Sequence, residues 1–221
     1  MQPQLLISFS APKHLLIGAL CALGALLITP SIGRAQNTSV PMDSLMAEGA
    51  LPDIWEGPAT AQITIIEYAS MTCPHCARFH ATTFPVLKSK YIDTGKVRFT
   101  LREFPLDPLA TAGFMLARCI GPAKRDAMVD LLFAQQANWA FTDKPLQGLQ
   151  TLVKQAGMSD DGLETCLKDQ ALYENVNKVR DRASEKFSVN ATPTFFVNGE
   201  RVSGEISPEE LDKLLQPLLG K

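Results

Sequence analysis

Two cysteines, Cys73 and Cys76, flank Pro74 and His75 where an apolar run from Ile63 to Tyr68 gives way to a helix-compatible stretch. This junction limits the possible folds more than any other feature of the chain. A strand that feeds a helix at Cys73 aims the unpaired N–H groups of the helix start, and the positive end of its dipole, at the sulfur. Pro74 suits the first helical turn, where its missing N–H removes no intrahelical bond. His75 places a cationic or donor imidazole beside the sulfur. Both effects favour thiolate, so Cys73 is the candidate nucleophile and Cys76 the resolving thiol of a redox pair.

The same spacing also makes half of a structural zinc site, which needs four converging ligands. The second half is missing. Cys119 and Cys166 each stand alone, and His75 and His80 would have to converge on the pair from its own helix turn. The expectation is a dithiol centre with no metal and no cofactor.

At 221 residues the chain suits one good-sized domain or one domain carrying an insertion. Lys13 and His14 precede an apolar run from Leu15 to Ile28, followed by Pro30, Gly33 and Ala35. This pattern predicts a secretory signal over residues 1–35, cleaved after Ala35. A retained anchor is the alternative, although the run falls short of the roughly 20 residues that span a bilayer. Cleavage removes Lys13 and Arg34 but no acid, taking the formal charge from -2 to -4. Such mild acidity gives no sign of a nucleic-acid partner.

Of the five cysteines, Cys21 lies inside the apolar run. The other four allow three pairings. Adjacency joins Cys73 with Cys76 and leaves Cys119 with Cys166, a pair that an oxidising compartment would keep bonded. Two buried free thiols on separate helices are the alternative.

Residues 36–58, with Pro41, Gly49, Pro52, Gly57 and Pro58, read as a leader draped over the core. A strand at 63–68 is followed by a helix from Cys73 towards Lys90 that should break near Pro85. Val97, Phe99 and Leu101 alternate with Arg98, Thr100 and Arg102, which predicts a second strand. Residues 105–187 then read as helices, with Ser159 capping one and the stripe Leu172, Val176, Val179, Ala183 on another. Thr194 to Val197, Asn198-Gly199 and Arg201 to Ser203 read as a hairpin. A last helix opens with a capping box formed by Ser207 and Glu210.

Strand, CxxC helix, strand, inserted helices, hairpin and helix together resemble the thioredoxin fold, and the insertion resembles its DsbA branch. The segments that carry the resemblance are ITIIEYAS leading into CPHC, REFPL at 102–106 and ATPTFFVNG at 191–199. The fold class is therefore α/β, a thioredoxin core over 59–104 and 188–221 with a helical subdomain inserted at 105–187. The resemblance implies that Thr192-Pro193 is a cis-proline loop that faces the CxxC and presents its backbone to substrate. It also implies that Glu67, an acid in an apolar strand, lies near the resolving thiol and relays its proton; a strand-end acid that reaches water is the alternative. Arg98 or Arg102 could pair with Glu67. His80, five residues past His75, is expected on the solvent face, and Trp55, Trp139 and Phe141 as core or interface fillers.

The expected function is disulfide donation to folding proteins with free thiols, in the periplasm, with reoxidation by a DsbB-type membrane oxidase implied by the resemblance. Disulfide isomerase or reductase is the alternative that Thr192 supports, because isomerase relatives often carry threonine before the cis-proline. A redox-inert peptide-binding chaperone using the same groove is the alternative of a different class.

Overall fold

The structure is a computed structural model that describes residues 39–220; the expected signal and Cys21 lie outside them. Its centre is β1 (Ile63–Ala69), buried along its whole length. Strand β2 (Val97–Glu103) runs parallel to β1, with Ile63 opposite Val97 and Ala69 opposite Glu103. Strand β3 (Thr194–Val197) lies antiparallel on the other side, with Glu67 opposite Phe195, and β4 (Glu200–Ser203) forms the edge. The order is β2-β1-β3-β4.

Alternation along β1 divides the core in two, because successive side chains leave opposite faces of a sheet. Ile63, Ile65 and Ala69 join the larger cluster with Phe79, Phe99, Phe114, Leu132 and Trp139. Ile66 and Tyr68 join the smaller one with Leu45, Phe187 and Phe196. Glu67 has the parity of the first set, so its carboxylate points to the face that carries the CxxC helix.

The expected long helix is divided into α2 (Pro74–Thr82), α3 (Phe84–Leu87) and a π-helical turn over Lys88–Ile92. Pro85 is the cause: it has no N–H for the carbonyl one turn back, so the ladder restarts at Thr83. The sequence between β2 and β3 forms α4 (Pro108–Cys119), α5 (Pro122–Ala134), α6 (Gln136–Trp139), α7 (Pro145–Gln155), α8 (Asp160–Leu167) and α9 (Gln170–Phe187). Asp107, Ser159 and Asp169 cap α4, α8 and α9 through their side chains. A disulfide joins Cys119, at the end of α4, to Cys166 of α8. The last helix, α10 (Pro208–Leu219), opens with the Ser207–Glu210 capping box.

The β3–β4 turn places Asn198 at φ 47° and Gly199 at φ 91°, the mirror-image turn that suits a two-residue hairpin. A Cβ on residue 199 would sit 2.5 Å from the Val40 carbonyl oxygen, so the leader packs where only glycine fits. Val40 N–H donates to the Gly199 carbonyl at 2.8 Å, and the leader also includes α1 (Met42–Met46).

Of the expected fillers, Trp139 is fully buried and donates its indole N–H to the Leu132 carbonyl at 2.8 Å. Trp55 is half-buried under the Arg98 guanidinium, 4.9 Å from its ring centre. Phe141 does not fill the core. It is 59% exposed, because the short α6 ends at Trp139 and the following turn carries Phe141 off the core.

Candidate active site

Cys73 is the N-cap of α2 and Pro74 its first residue. The Cys73 backbone is extended, and its N–H donates to the Ser70 carbonyl at 3.0 Å. These constraints hold the sulfur at the mouth of the helix. Its pKa is lowered to about 5 by the thiol of Cys76, by the Thr192 side chain and by the backbone N–H groups of Cys76 and His75, against the opposing effect of burial. Cys76, one turn on and fully buried, moves the other way. Burial raises it well above the usual thiol range, and the neighbouring Cys73 and the Glu67 carboxylate add to the rise. Both thiols are free.

The helix start contributes as expected, but the His75 ring turns outward. It is 59% exposed, and its Nδ1 lies 2.6 Å from an Arg78 guanidinium N–H and 3.2 Å from Glu205. Arg78 Nε also donates to Glu205, at 3.0 Å. With Arg78 donating to Nδ1, the ring proton belongs on Nε2, a tautomer inferred from this network. Residue 75 acts on the sulfur through its backbone N–H.

Thr192-Pro193 is a cis peptide. The Cys73 thiol donates to the Thr192 carbonyl oxygen at 3.2 Å, which brings the loop before β3 against the helix start. The Thr192 hydroxyl is buried and has no hydrogen-bond partner among the described residues. It is therefore the donor at hand when the sulfur ionises.

Glu67 is fully buried, and neither Arg98 nor Arg102 pairs with it. Arg98 Nε donates to the Thr64 hydroxyl at 2.8 Å, and Arg102 binds Asp53 at 2.7 Å on the opposite face. Both arginines alternate with the core-facing residues of β2, and the parity that puts Glu67 towards α2 puts Arg102 on the other side. The partner of Glu67 is His80, with Nε2 to Oε2 at 3.0 Å. The imidazole is 4% exposed and stacks on Phe133 at 4.4 Å between ring centres, so the expectation of a solvent-facing His80 is overturned. At five residues' remove from His75, His80 falls on the face of α2 that α5 covers.

Three further residues set the geometry. Gln136, buried at the start of α6, donates to the carbonyls of Met71 and Cys73 at 2.8 and 3.0 Å. The Thr72 hydroxyl donates to Asp107 at 2.5 Å, which ties the active-site loop to the cap of α4. A lone glutamine 63 residues past Cys73 carries no local signal, whereas Asp107-Pro108 is a legible helix start. Among the described residues no group of three or more His, Cys, Asp or Glu side chains is placed to hold a metal ion.

The thioredoxin family profile matches residues 50–217. Wolbachia pipientis alpha-DsbA1 superposes with a TM-score of 0.74 at 29% identity, over 83% of this chain and 96% of that one. The chain is a DsbA-like member of the thioredoxin family. Candidate protein-disulfide oxidoreductases of Rickettsia bellii and Rickettsia conorii are 34% and 30% identical to it over 66% and 77% of its length. The chain spans 57% and 62% of the length of those two proteins.

Proposed function

We propose that this chain is a thiol:disulfide oxidoreductase that introduces disulfides into folding proteins outside the cytoplasm. The observation that carries the reading is the opposed acidity of the two thiols, Cys73 lowered to about 5 and Cys76 raised. A substrate thiolate attacks the Cys73 sulfur of the oxidised pair, the Cys73–Cys76 bond breaks, and Cys76 leaves as thiolate and takes up a proton. A second substrate thiolate then attacks the substrate sulfur of the mixed disulfide and expels Cys73. The substrate loses two electrons and the active-site pair gains them. A low pKa makes Cys73 a good leaving group in that last step, which favours net oxidation of substrate.

Thr192 and the cis-Pro193 would present backbone to an extended substrate, and Glu67 would exchange the Cys76 proton. The protein partners are those with free thiols, and a DsbB-type membrane oxidase would regenerate the disulfide. A periplasmic location fits the apolar segment at 15–28.

Isomerase or reductase activity is the second reading, favoured by the threonine before the cis-proline. Oxidation of a reduced substrate, insulin reduction and refolding of a scrambled-disulfide protein, measured side by side, separate the readings. Fast oxidation of reduced substrate with little unscrambling is the expected result; efficient unscrambling would put the isomerase first.

A further inference from the structure

Glu67 and His80 form a buried acid–base pair in which each partner has one polar atom left over. Glu67 Oε2 meets His80 Nε2 at 3.0 Å, while Glu67 Oε1 and His80 Nδ1 are buried without a hydrogen-bond partner among the described residues. Such orphaned atoms carry a desolvation cost, and a pair holding two of them calls for a reason. The two orphans lie at opposite ends of the pair. Glu67 is the acid whose charge acts on Cys76. At the far end, His80 Nδ1 lies 3.6 Å from Asp130 Oδ1, and Asp130 is 55% exposed. His80 and Asp130 also line a surface cleft of about 310 Å³ with Phe84, Pro85, Lys88 and Ala134.

We propose that His80 and Asp130 extend Glu67 into a proton path that links the buried Cys76 sulfur to solvent through this cleft, with His80 as the positioning residue that makes Glu67 able to turn over. The proposal rests on the reading of Cys73 and Cys76 as a redox pair. During reoxidation the Cys73 thiolate attacks an oxidant disulfide, a mixed disulfide forms and one oxidant thiolate leaves. The Cys76 thiol then passes its proton to Glu67 Oε1, and its sulfur attacks Cys73 and expels the second oxidant thiolate. The imidazolium releases its Nδ1 proton to Asp130 and solvent, so the Glu67–His80 pair ends with the proton count it began with. When substrate opens the disulfide, the same path runs inward and protonates the leaving Cys76.

The surroundings suit this role. Burial works against charge on His80, but the Glu67 carboxylate and Asp130 outweigh it and raise the imidazole to about 9. A loaded proton donor is thus held beside the acid at neutral pH. The remaining charges near the cleft are engaged elsewhere. Arg125 of α5 binds Glu103 and Asp126, and Lys88 of the π-helical turn binds Glu56 of the leader and Asp93. On α2 itself, Cys76 is the titratable group besides His80 that feels the Glu67 charge. Without His80, a proton accepted by Glu67 would be confined beneath Phe79, Phe84 and Phe133, the rings that pack around the imidazole.

The test uses the purified full chain and cystamine as the oxidant, with stopped-flow mixing followed by acid quench to separate capture at Cys73 from resolution by Cys76. His80→Gln keeps a side chain able to bond Glu67 but unable to carry a proton. The expected result is a fall of about tenfold in the ratio of resolution to capture rates at pH 7, less than for loss of a direct acid–base group because Glu67 remains. The resolution step should also lose its dependence on pH between 6 and 9. Asp130→Asn should give a smaller fall in the same ratio, and Asp130→Glu should restore it. A ratio and pH profile in His80→Gln within twofold of the parent would overturn the path. If His80→Gln does not fold, Asp130→Asn decides at a half-exposed position, and an unchanged profile there overturns the path equally. A parent chain that captures no cystamine removes the redox reading itself, which is a distinct result.

Discussion

The Gln136 side chain donates to the Cys73 carbonyl oxygen at 3.0 Å, so a helix of the inserted segment holds the backbone of the candidate nucleophile. The same amide reaches Met71 at 2.8 Å, and both bonds are buried. The insertion is therefore part of the site's scaffold. Gln136→Leu should leave the buried Met71 carbonyl without its donor and the Cys73 carbonyl with the Ala77 N–H alone, and lower stability by about 1–3 kcal/mol. Urea unfolding of the parent and variant measures the loss, and hydrogen exchange should show faster opening from Met71 to Cys76. Unchanged exchange there would mean that the loop is held by other contacts.

Cys73→Ser should abolish exchange, while Cys76→Ser should accumulate mixed disulfides with substrate. The reason is that the sulfur at the helix start ionises and the buried one does not. Non-reducing electrophoresis after incubation with a disulfide-bonded substrate, whose bond the Cys73 thiolate opens with release of one substrate thiolate, reads the result. Equal trapping by both variants would reverse the assignment of roles.

The Cys73 thiolate should make the reduced protein more stable than the oxidised one at neutral pH. Its folded pKa lies near 5, below that of an unfolded thiol near 9, so the stabilisation is full above the unfolded value and fades as pH falls through the folded one. Cys76 is protonated in both folded and unfolded chains between pH 4 and 7 and adds nothing to the slope there; nearer pH 9 its raised folded pKa works against the gain. At about 1.4 kcal/mol per unit, discounted for the solvent side of the sulfur, the gain is on the order of 2 kcal/mol at pH 7. Calorimetry of both redox forms should show the reduced form melting higher at pH 7 and the gap closing by pH 4. An oxidised form that melts higher at pH 7 would favour the isomerase or reductase reading.

His80 should titrate in the opposite sense. Its folded pKa is raised to about 9 from an ordinary 6.5, so its contribution is complete below the ordinary value and is lost as pH rises through the folded one. In Cys73→Ser, which lacks the thiolate, stability should decline from pH 6.5 to 9, and His80→Gln in that background should flatten the decline. NMR titration of the imidazole checks the assignment directly.

The Cys119–Cys166 bridge closes a separation of 47 residues. Loop closure on that scale is worth about 4 kcal/mol in the chain-entropy model, with measured values commonly nearer 2–4. The double variant Cys119→Ala, Cys166→Ala should lose stability in that range. Peptide mapping of unreduced protein tests the pairing, and recovery of both residues as alkylated free thiols would remove it.

The local chemistry of the site was legible in the sequence because it rests on short-range rules. A CxxC at a strand-to-helix junction, Pro74 at a first helical turn, Asn198-Gly199 between β-branched and aromatic runs, and Ser207 three residues before Glu210 all act through neighbours in the chain. The lone acid in β1 was legible as an anomaly, since an apolar strand gives a carboxylate no local partner. Its true partner was not. Parity along β1 sends Glu67 towards α2, and only the packing of α5 over α2 covers His80 and brings Asp130 to its far nitrogen. The outward turn of His75 likewise depends on Glu205, 130 residues away. What the sequence by itself determined is the CxxC at a strand-to-helix junction, the order of elements and the α/β class. Which side chains meet across the core was decided by tertiary structure alone, because contacts between distant segments follow from sheet parity and helix packing, and no window of neighbouring residues contains both.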